Sequence, residues 1–372
     1  MYTNKIKNVL YVGRYNNDYC RNYTFINSLK KNDINVFEIN FNKLSKKDKI
    51  LYLLKKLRKF NNQQIDLMLY YSLETFSVPF FIVRIYAFIK RIPFVHDIFI
   101  SKLQTYYFDR DLNIIKKRIK VRFYYWFYYY LLDFFESHFS NYVFLDTLSH
   151  IKFFHDKFRI PLNKFYKLYI GARDDIFYPL DQDTKKKNEF IVGFWGTFIP
   201  LQGIEYILKA AKILENESDI KFVIIGDGQT FLKNKMLAEE LKIKNLMFTG
   251  FIPLKELPAI IKNFDIVLGI FGPTSKTLQV IPNKIFEGNS MKLPIISCES
   301  PAINELYKDS EDIILCKPAD PKTLAESIFN LKTDTKLREK IKENGYLTYQ
   351  KKASSRVLSE RILKILNFIV NN

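Results

Sequence analysis

The stretch that most restricts what this chain can fold into spans residues 266–297. An apolar run at 266–270 is followed by Val280-Ile281-Pro282-Asn283-Lys284-Ile285-Phe286-Glu287-Gly288 and then by a second apolar run at 293–297. The pattern predicts strand, loop, helix and strand. Pro282 suits the position just before or at a helix start, because it has no backbone N–H to leave unpaired, and Asn283 is a good N-cap. The free amides of such a helix end can hold an anion. Asn283 and Glu287 fall one turn apart on one face, with Lys284 at the neighbouring spacing from Glu287. Amides and an ammonium for phosphates, beside a carboxylate for vicinal ribose hydroxyls, are what a nucleotide requires. The same residues also fit an exposed Glu–Lys helical pair contributing about 0.2–0.5 kcal/mol, and this stretch alone does not choose between the two.

Elsewhere the chain alternates strand and helix in the manner of an α/β protein. Strands are expected at 9–12, 35–39, 67–71, 93–98, 142–145 and 165–170, with helices at 23–31, 79–90 and 147–155. A second series begins with a strand at 190–194 and the loop Gly196-Thr197-Phe198-Ile199-Pro200-Leu201-Gln202-Gly203. Small residues in such a loop let the backbone approach phosphates. Strands at 222–225 and 247–249 lead to Gly226-Asp227-Gly228 and to Gly250-Phe251, and a last helix carries Leu358, Ile362, Ile365 and Ile369 on one stripe. A chain of 372 residues exceeds the usual single core, so two domains are expected. We place them at 1–180 and 190–353, with a lysine-rich linker at 181–189 and a terminal helix at 354–372.

Charge separates the halves. Residues 1–188 hold 33 Lys and Arg against 17 Asp and Glu, so most of the net +19 lies there. That asymmetry predicts a polyanionic partner for the first half, nucleic acid or an anionic membrane surface. Within it, residues 43–59 carry eight basic residues and one acid, Asp48, with Leu51, Leu54 and Leu57 spaced about a turn apart. A basic amphipathic helix of this kind can lie on an anionic bilayer. The aromatic run at 122–135, RFYYWFYYYLLDFF, is too short to span a membrane and is read as a buried helix in preference to interfacial insertion or an acceptor groove. The N-terminus lacks a signal-peptide apolar stretch, and three distant cysteines fit a reducing compartment. These features predict a cytoplasmic protein, peripheral at the inner face of the membrane.

Side chains alternate along a strand, so only one of His96 and Asp97 can face the functional end of its sheet. Asp97 is the chosen candidate.

The run PNKIFEGNSMKLPIISCESPAINE, from Pro282 to Glu305, resembles the donor-site segment of GT-B glycosyltransferases, specifically the retaining family 4 (glycosyl transferases group 1). The resemblance implies two Rossmann-like domains with a cleft between them and a C-terminal helix crossing back to the first. It implies a nucleoside diphosphate sugar as donor substrate, no separate cofactor, and transfer with retention to a glycan or lipid-linked glycan in cell-surface polysaccharide synthesis. Glu287 occupies the second position of the family's acidic pair, and Gln279 departs from the first. Gly196, Thr197, Gln202, Gly203, Gly226, Phe251, Asn283, Lys284 and Glu305 match other donor-side positions. The family often places Arg and Lys where Thr197 and Gln202 stand, and Lys284 is expected to supply the missing charge. Gly13, Arg14 and Ser101 are the acceptor-side candidates, and VHDIFIS, with Asp97 and Ser101, resembles the segment beside the donor sugar, which implies Asp97 as the catalytic residue that orients sugar and acceptor hydroxyls; the rival reading has it bonding the amides of its own loop at Phe99 or Ile100. Arg173 stands where the family usually has an acid.

Other classes fit less well. No Gly-x-Gly-x-x-Gly follows the first strand of either domain, against a Rossmann dehydrogenase. Asp109-Arg110-Asp111 and Asp181-Gln182-Asp183 imitate a metal-binding acid pair, but neither lies in the donor domain. No metal is therefore expected, helix-end amides and Lys284 taking its part. The absent charges at Thr197, Gln202 and Gln279 favour the remaining alternative, a degenerate GT-B protein acting as a basic membrane or nucleic-acid binding module. With the resemblance, an enzyme without a nucleic-acid partner is preferred.

Overall fold

In the computed structural model the described residues are 6–75, 77–110, 118–181 and 189–371. Most of the expected linker, and Asp111, Gln182 and Asp183 of the acid triplets, lie outside them. The chain divides into two compact units. One comprises residues 1–107, 111–170 and 355–372, the other 108–110 and 171–354. The segment from Gly171 thus belongs with the second unit, where the Tyr349 hydroxyl donates to Asp174.

The first unit is a six-stranded parallel sheet in the order β2-β1-β3-β4-β5-β6. Its strands are β1 (Asn8–Arg14), β2 (Asn35–Asn40), β3 (Leu67–Ser72), β4 (Phe94–Asp97), β5 (Tyr142–Leu145) and β6 (Phe165–Lys167). The helices between them are α1 (Cys20–Lys30), α2 (Lys46–Arg58), α3 (Val78–Ile89), α4 (Ile119–Phe139) and α5 (Leu148–Phe158). Leu10, Val12, Met68, Tyr70 and Phe94 supply the core on which α2 and α3 pack. A Cβ on Gly13 would lie 1.7 Å from the Tyr71 carbonyl oxygen, so only glycine lets β1 and β3 run this close.

Two helices differ from expectation. In α2 the buried side chains are Lys49, Leu53 and Leu57, while Leu51 and Leu54 are exposed. Lys49 turns inward because it pairs with the buried Glu74. α4 was read as a buried helix, yet its fully buried residues include Asp133, Glu136 and Ser137, and many of its aromatic rings face outward. Asp133 accepts from the Ser101 hydroxyl at 2.6 Å and from the amides of Lys102 and Leu103, both at 2.9 Å. Glu136 is paired with Lys102 and hydrogen-bonded by Ser77. These partners make the burial of two acids tolerable.

The second unit is also a six-stranded parallel sheet, ordered β12-β11-β10-β7-β8-β9. β7 (Phe190–Trp195) is followed by α6 (Ile204–Ile213), β8 (Ile220–Ile225) by α7 (Phe231–Glu240), and β9 (Leu246–Gly250) by α8 (Leu257–Ile261). Then come β10 (Ile266–Leu268), α9 (Asn283–Ser290), β11 (Ile295–Cys298), α10 (Pro301–Asn304) and β12 (Ile314–Cys316). α11 (Pro321–Thr333) and α12 (Thr335–Lys352) complete the unit. The order reverses between β7 and β10, which makes the carboxyl ends of those two strands the switch point where open α/β sheets bind ligands.

The final helix, α13 (Ser355–Asn371), belongs to the first unit and packs on α1. Its buried stripe is Leu358, Ile362, Leu366 and Ile369. Leu366 takes the place expected of Ile365, so the stripe advances by steps of four, four and three, as one face of a 3.6-residue repeat does.

Candidate functional site

The second unit gathers most of the predicted donor-side residues at its switch point. β7 ends at Trp195, and the chain leaves it through Gly196, whose φ of +149° lies in the region that favours glycine. A Cβ there would lie 3.3 Å from Lys284 Nζ and 3.7 Å from Gln202 Nε2, so the strand end, the loop and α9 meet at one point. Gly226 packs beneath: its own Cβ would come within 2.0 Å of the Gly196 oxygen. Its amide donates to the Gly250 carbonyl at 2.8 Å, which brings the turn carrying the exposed Phe251 alongside. Gly203 has φ +65° and sits against residues 271 and 272, where the Gln202 and Leu201 carbonyls accept from Phe271 and Gly272, both at 3.1 Å. Thr197 is exposed at the mouth of this loop.

α9 begins one residue earlier than its sequence suggests. Pro282 is the N-cap, with φ −68° and ψ 146°, and Asn283 is the first helical residue. No side chain caps this end, so the amides of Asn283 and Lys284 have no intrahelical acceptor. Proline fixes this start because its ring sets φ and it lacks the N–H that a cap would otherwise strand.

Lys284 and Glu287 flank the end of β7. The Lys284 ammonium is buried 3.5 Å from the centroid of the Phe194 ring, donates to Gln202 Oε1, and lies 3.3 Å from the Gly269 carbonyl. Burial drives its pKa well below the usual lysine value, with Glu287 opposing. Glu287 is buried too, and its Oε2 accepts from Trp195 Nε1 at 2.7 Å. Burial raises its pKa, while the Trp195 hydrogen bond and Lys284 pull it down. The arrangement offers an anion two amides and an ammonium, and offers hydroxyl groups a carboxylate whose orientation is already fixed. Gln279 closes the short turn Ser275–Leu278, and Glu305 follows α10; both are half-buried.

Trp195 is the site residue that the sequence reading missed. Its signal was positional: Phe190, Val192 and Phe194 fill the core, so Trp195 alternates to the other face at the carboxyl end of the strand.

The first-unit candidates do not form one constellation. Asp97 is fully buried, and Arg21 grips it with both arms, Nε to Oδ2 at 2.9 Å and Nη2 to Oδ1 at 2.7 Å. Its expected partners, sugar hydroxyls or amides of its own loop, give way to a bidentate guanidinium. Arg21 also donates to the Leu168 and Tyr169 carbonyls, so the pair ties α1 to β4 and to the chain after β6. His96, on the other face of β4, packs among Tyr70 and Phe80 with its Nε2 3.9 Å from Glu136. Burial and Lys102 hold it neutral, well below the usual imidazole range. Ser101 is buried against Asp133. Gly13 is used by strand packing, and Arg14 is exposed, reaching Glu74 at 3.2 Å. Arg173 pairs with Asp175 at 2.7 Å.

Among the described residues no three His, Cys, Asp or Glu side chains cluster as a metal site, and no helix is long and apolar enough to cross a membrane.

Residues 180–348 match the profile of glycosyl transferases group 1. The chain is 27% identical over 201 residues to the alpha-D-kanosaminyltransferase of Streptomyces kanamyceticus, covering 51% of this chain and 50% of that one. It is 22% identical over 216 residues to the capsular polysaccharide biosynthesis glycosyltransferase CapM of Staphylococcus aureus, covering 55% and 56%. The chain thus aligns with about half the length of the curated relatives it matches. Among solved structures, Anabaena HepE in complex with UDP and glucose superimposes with a TM-score of 0.71 at 14% identity, covering 97% of this chain and 100% of that one. The fold is therefore GT-B, and the family that the chain resembles, through its second unit, is the glycosyl transferases group 1.

Proposed function

We propose that this chain is a glycosyltransferase that moves a sugar from a nucleoside diphosphate to a hydroxyl of a glycan or lipid-linked glycan, with retention, in cell-surface polysaccharide synthesis. The observation that carries the reading is the meeting of Lys284, Glu287 and the open amides of α9 at the switch point. The diphosphate would lie against the amides of Asn283 and Lys284 and the glycine-lined loop at Gly196. Lys284 would turn from Gln202 to the phosphates, taking the charge that Thr197 and Gln202 lack. Glu287 would accept from the two ribose hydroxyls. Negative charge developing on the departing diphosphate would then be met by groups already in place, without a metal ion. CapM's part in capsular polysaccharide biosynthesis and the UDP held by HepE support the substrate class.

The working surface is an anionic membrane, reached through α2. Its exposed cations would each add roughly 1 kcal/mol near such a surface.

Calorimetric titration with UDP tests the donor site first. Binding is expected in the presence of a chelator, and Glu287→Ala should weaken it by about tenfold or more, since a hydrogen bond to a charged group contributes ~1.5–3 kcal/mol. Unchanged affinity in a folded Glu287→Ala protein would remove that residue from the site. Hydrolysis or transfer of the sugar from a panel of nucleoside diphosphate sugars then separates an enzyme from a binding module on the same fold.

A further inference from the structure

α4 packs Tyr129 and Leu132 toward the core and leaves a second set of apolar residues outside. Ile119, Phe123, Phe127, Leu131, Phe135 and Phe139 recur at every fourth position, and all but the half-buried Leu131 are exposed, while the helix turns its two acids inward. Leaving this many rings in water forfeits the burial that ordinarily stabilises a core. The apolar surface does not stop at α4. Phe81 of α3 meets Phe139 with ring centroids 6.0 Å apart, and Arg84 donates to the Phe139 carbonyl. α3 in turn exposes Ile85, Phe88 and Ile89, the last two at 73% and 70%. It packs on α2, where Leu51 is 70% exposed and Leu54 43%.

The charges around this surface have one sign. Lys55, Arg58 and Lys59 are exposed on and after α2, Lys90 and Arg91 at the end of α3, and Arg118 and Lys120 at the start of α4. Across the three helices the exposed acid is Asp48 alone. A second copy of the chain would bring cations against cations, whereas an anionic bilayer offers phosphate headgroups at the rim and acyl chains at the centre.

We propose that the exposed face of α2, α3 and α4 inserts into the headgroup boundary of an anionic bilayer, its rings among the acyl chains and its cations among the phosphates. The proposal rests on the membrane reading given above and deepens it from electrostatic adsorption by α2 to insertion by α3 and α4. Adsorption is screened by salt; burial of rings is not.

The test is flotation with vesicles of phosphatidylcholine mixed with phosphatidylglycerol, at low and high salt, using the full chain. Phe88→Ser with Ile89→Ser alters exposed positions, and an unchanged melting curve verifies the fold. This pair should weaken high-salt binding by about tenfold or more, from the apolar area it removes. Lys55→Gln with Arg58→Gln should weaken chiefly the low-salt binding. Trp126 stacks on Phe123 at 5.9 Å, so in a Trp195→Phe background its fluorescence should be quenched by lipids brominated on their acyl chains. Binding that vanishes in high salt, with Trp126 unquenched and the serine pair without effect, would overturn insertion and leave adsorption standing. Low-salt binding that is unchanged in the glutamine pair would overturn the role given to the α2 cations and restrict the inserting face to the rings of α3 and α4. No binding to any vesicle overturns both, and dimerisation abolished by the serine pair would make the face a self-interface.

Discussion

Trp195 Nε1 donates to Glu287 Oε2 at 2.7 Å, across 92 positions of sequence, from a strand end to the second turn of a helix. One carboxylate oxygen is thereby fixed before any ligand arrives. Trp195→Phe keeps the ring and loses the donor. It should raise the donor KM by about tenfold, in line with the loss of one hydrogen bond to a charged group, and change kcat little. A drop in kcat at unchanged KM would place Trp195 elsewhere in the reaction.

In the proposed donor site, Lys284 should make nucleotide binding depend on pH. Burial lowers its pKa in the free protein, and a diphosphate beside it would raise that pKa. Between the two values binding takes up a proton, so affinity should fall as pH rises through that window. On the acid side Glu287, whose pKa burial raises, must lose its proton to accept ribose hydroxyls, so affinity should fall again as pH drops. Calorimetry in buffers of different ionisation enthalpy checks this: the proton uptake should disappear in Lys284→Met.

The Arg21–Asp97 pair should act on stability before it acts on turnover. Arg21→Ala leaves a buried carboxylate without its partner and should cost about 3–5 kcal/mol. Asp97→Asn should also melt earlier, with UDP affinity little changed. A normally melting Asp97→Asn protein that has lost turnover would return Asp97 to the reaction itself.

Gly226→Ala should abolish UDP binding. Its φ of +132° strains any other residue, and the added methyl would strike the Gly196 carbonyl, displacing the loop on which Lys284 closes. Measured UDP affinity within threefold of the parent protein would show that the loop tolerates the shift.

Periodicity and punctuation carried most of the fold. Alternating strands and helices gave both parallel series, and the Pro282 signal located α9 to within a residue because proline acts locally, through its own ring. What the sequence hid depends on distance along the chain. Nothing near Asp97 announces Arg21, 76 positions away, and nothing near Glu287 announces Trp195. α4 misled for a different reason. Its composition is that of a core helix, but hydrophobicity reports what a residue gains by leaving water, not which face the fold turns inward. There Asp133 and Glu136 share the inward side with Tyr129 and Leu132, and their partners Ser77, Ser101 and Lys102 come from other segments.

The packing of α13 on α1 sets an order of events during synthesis. α1 precedes the second unit along the chain, yet the stripe of Leu358, Ile362, Leu366 and Ile369 that covers it follows that unit. The first unit must therefore wait, incomplete, while the whole second unit is made. Folding of the nascent chain is thus not strictly domain by domain, and a stalled or truncated product ending before residue 355 would display the bare flank of α1 to chaperones and proteases.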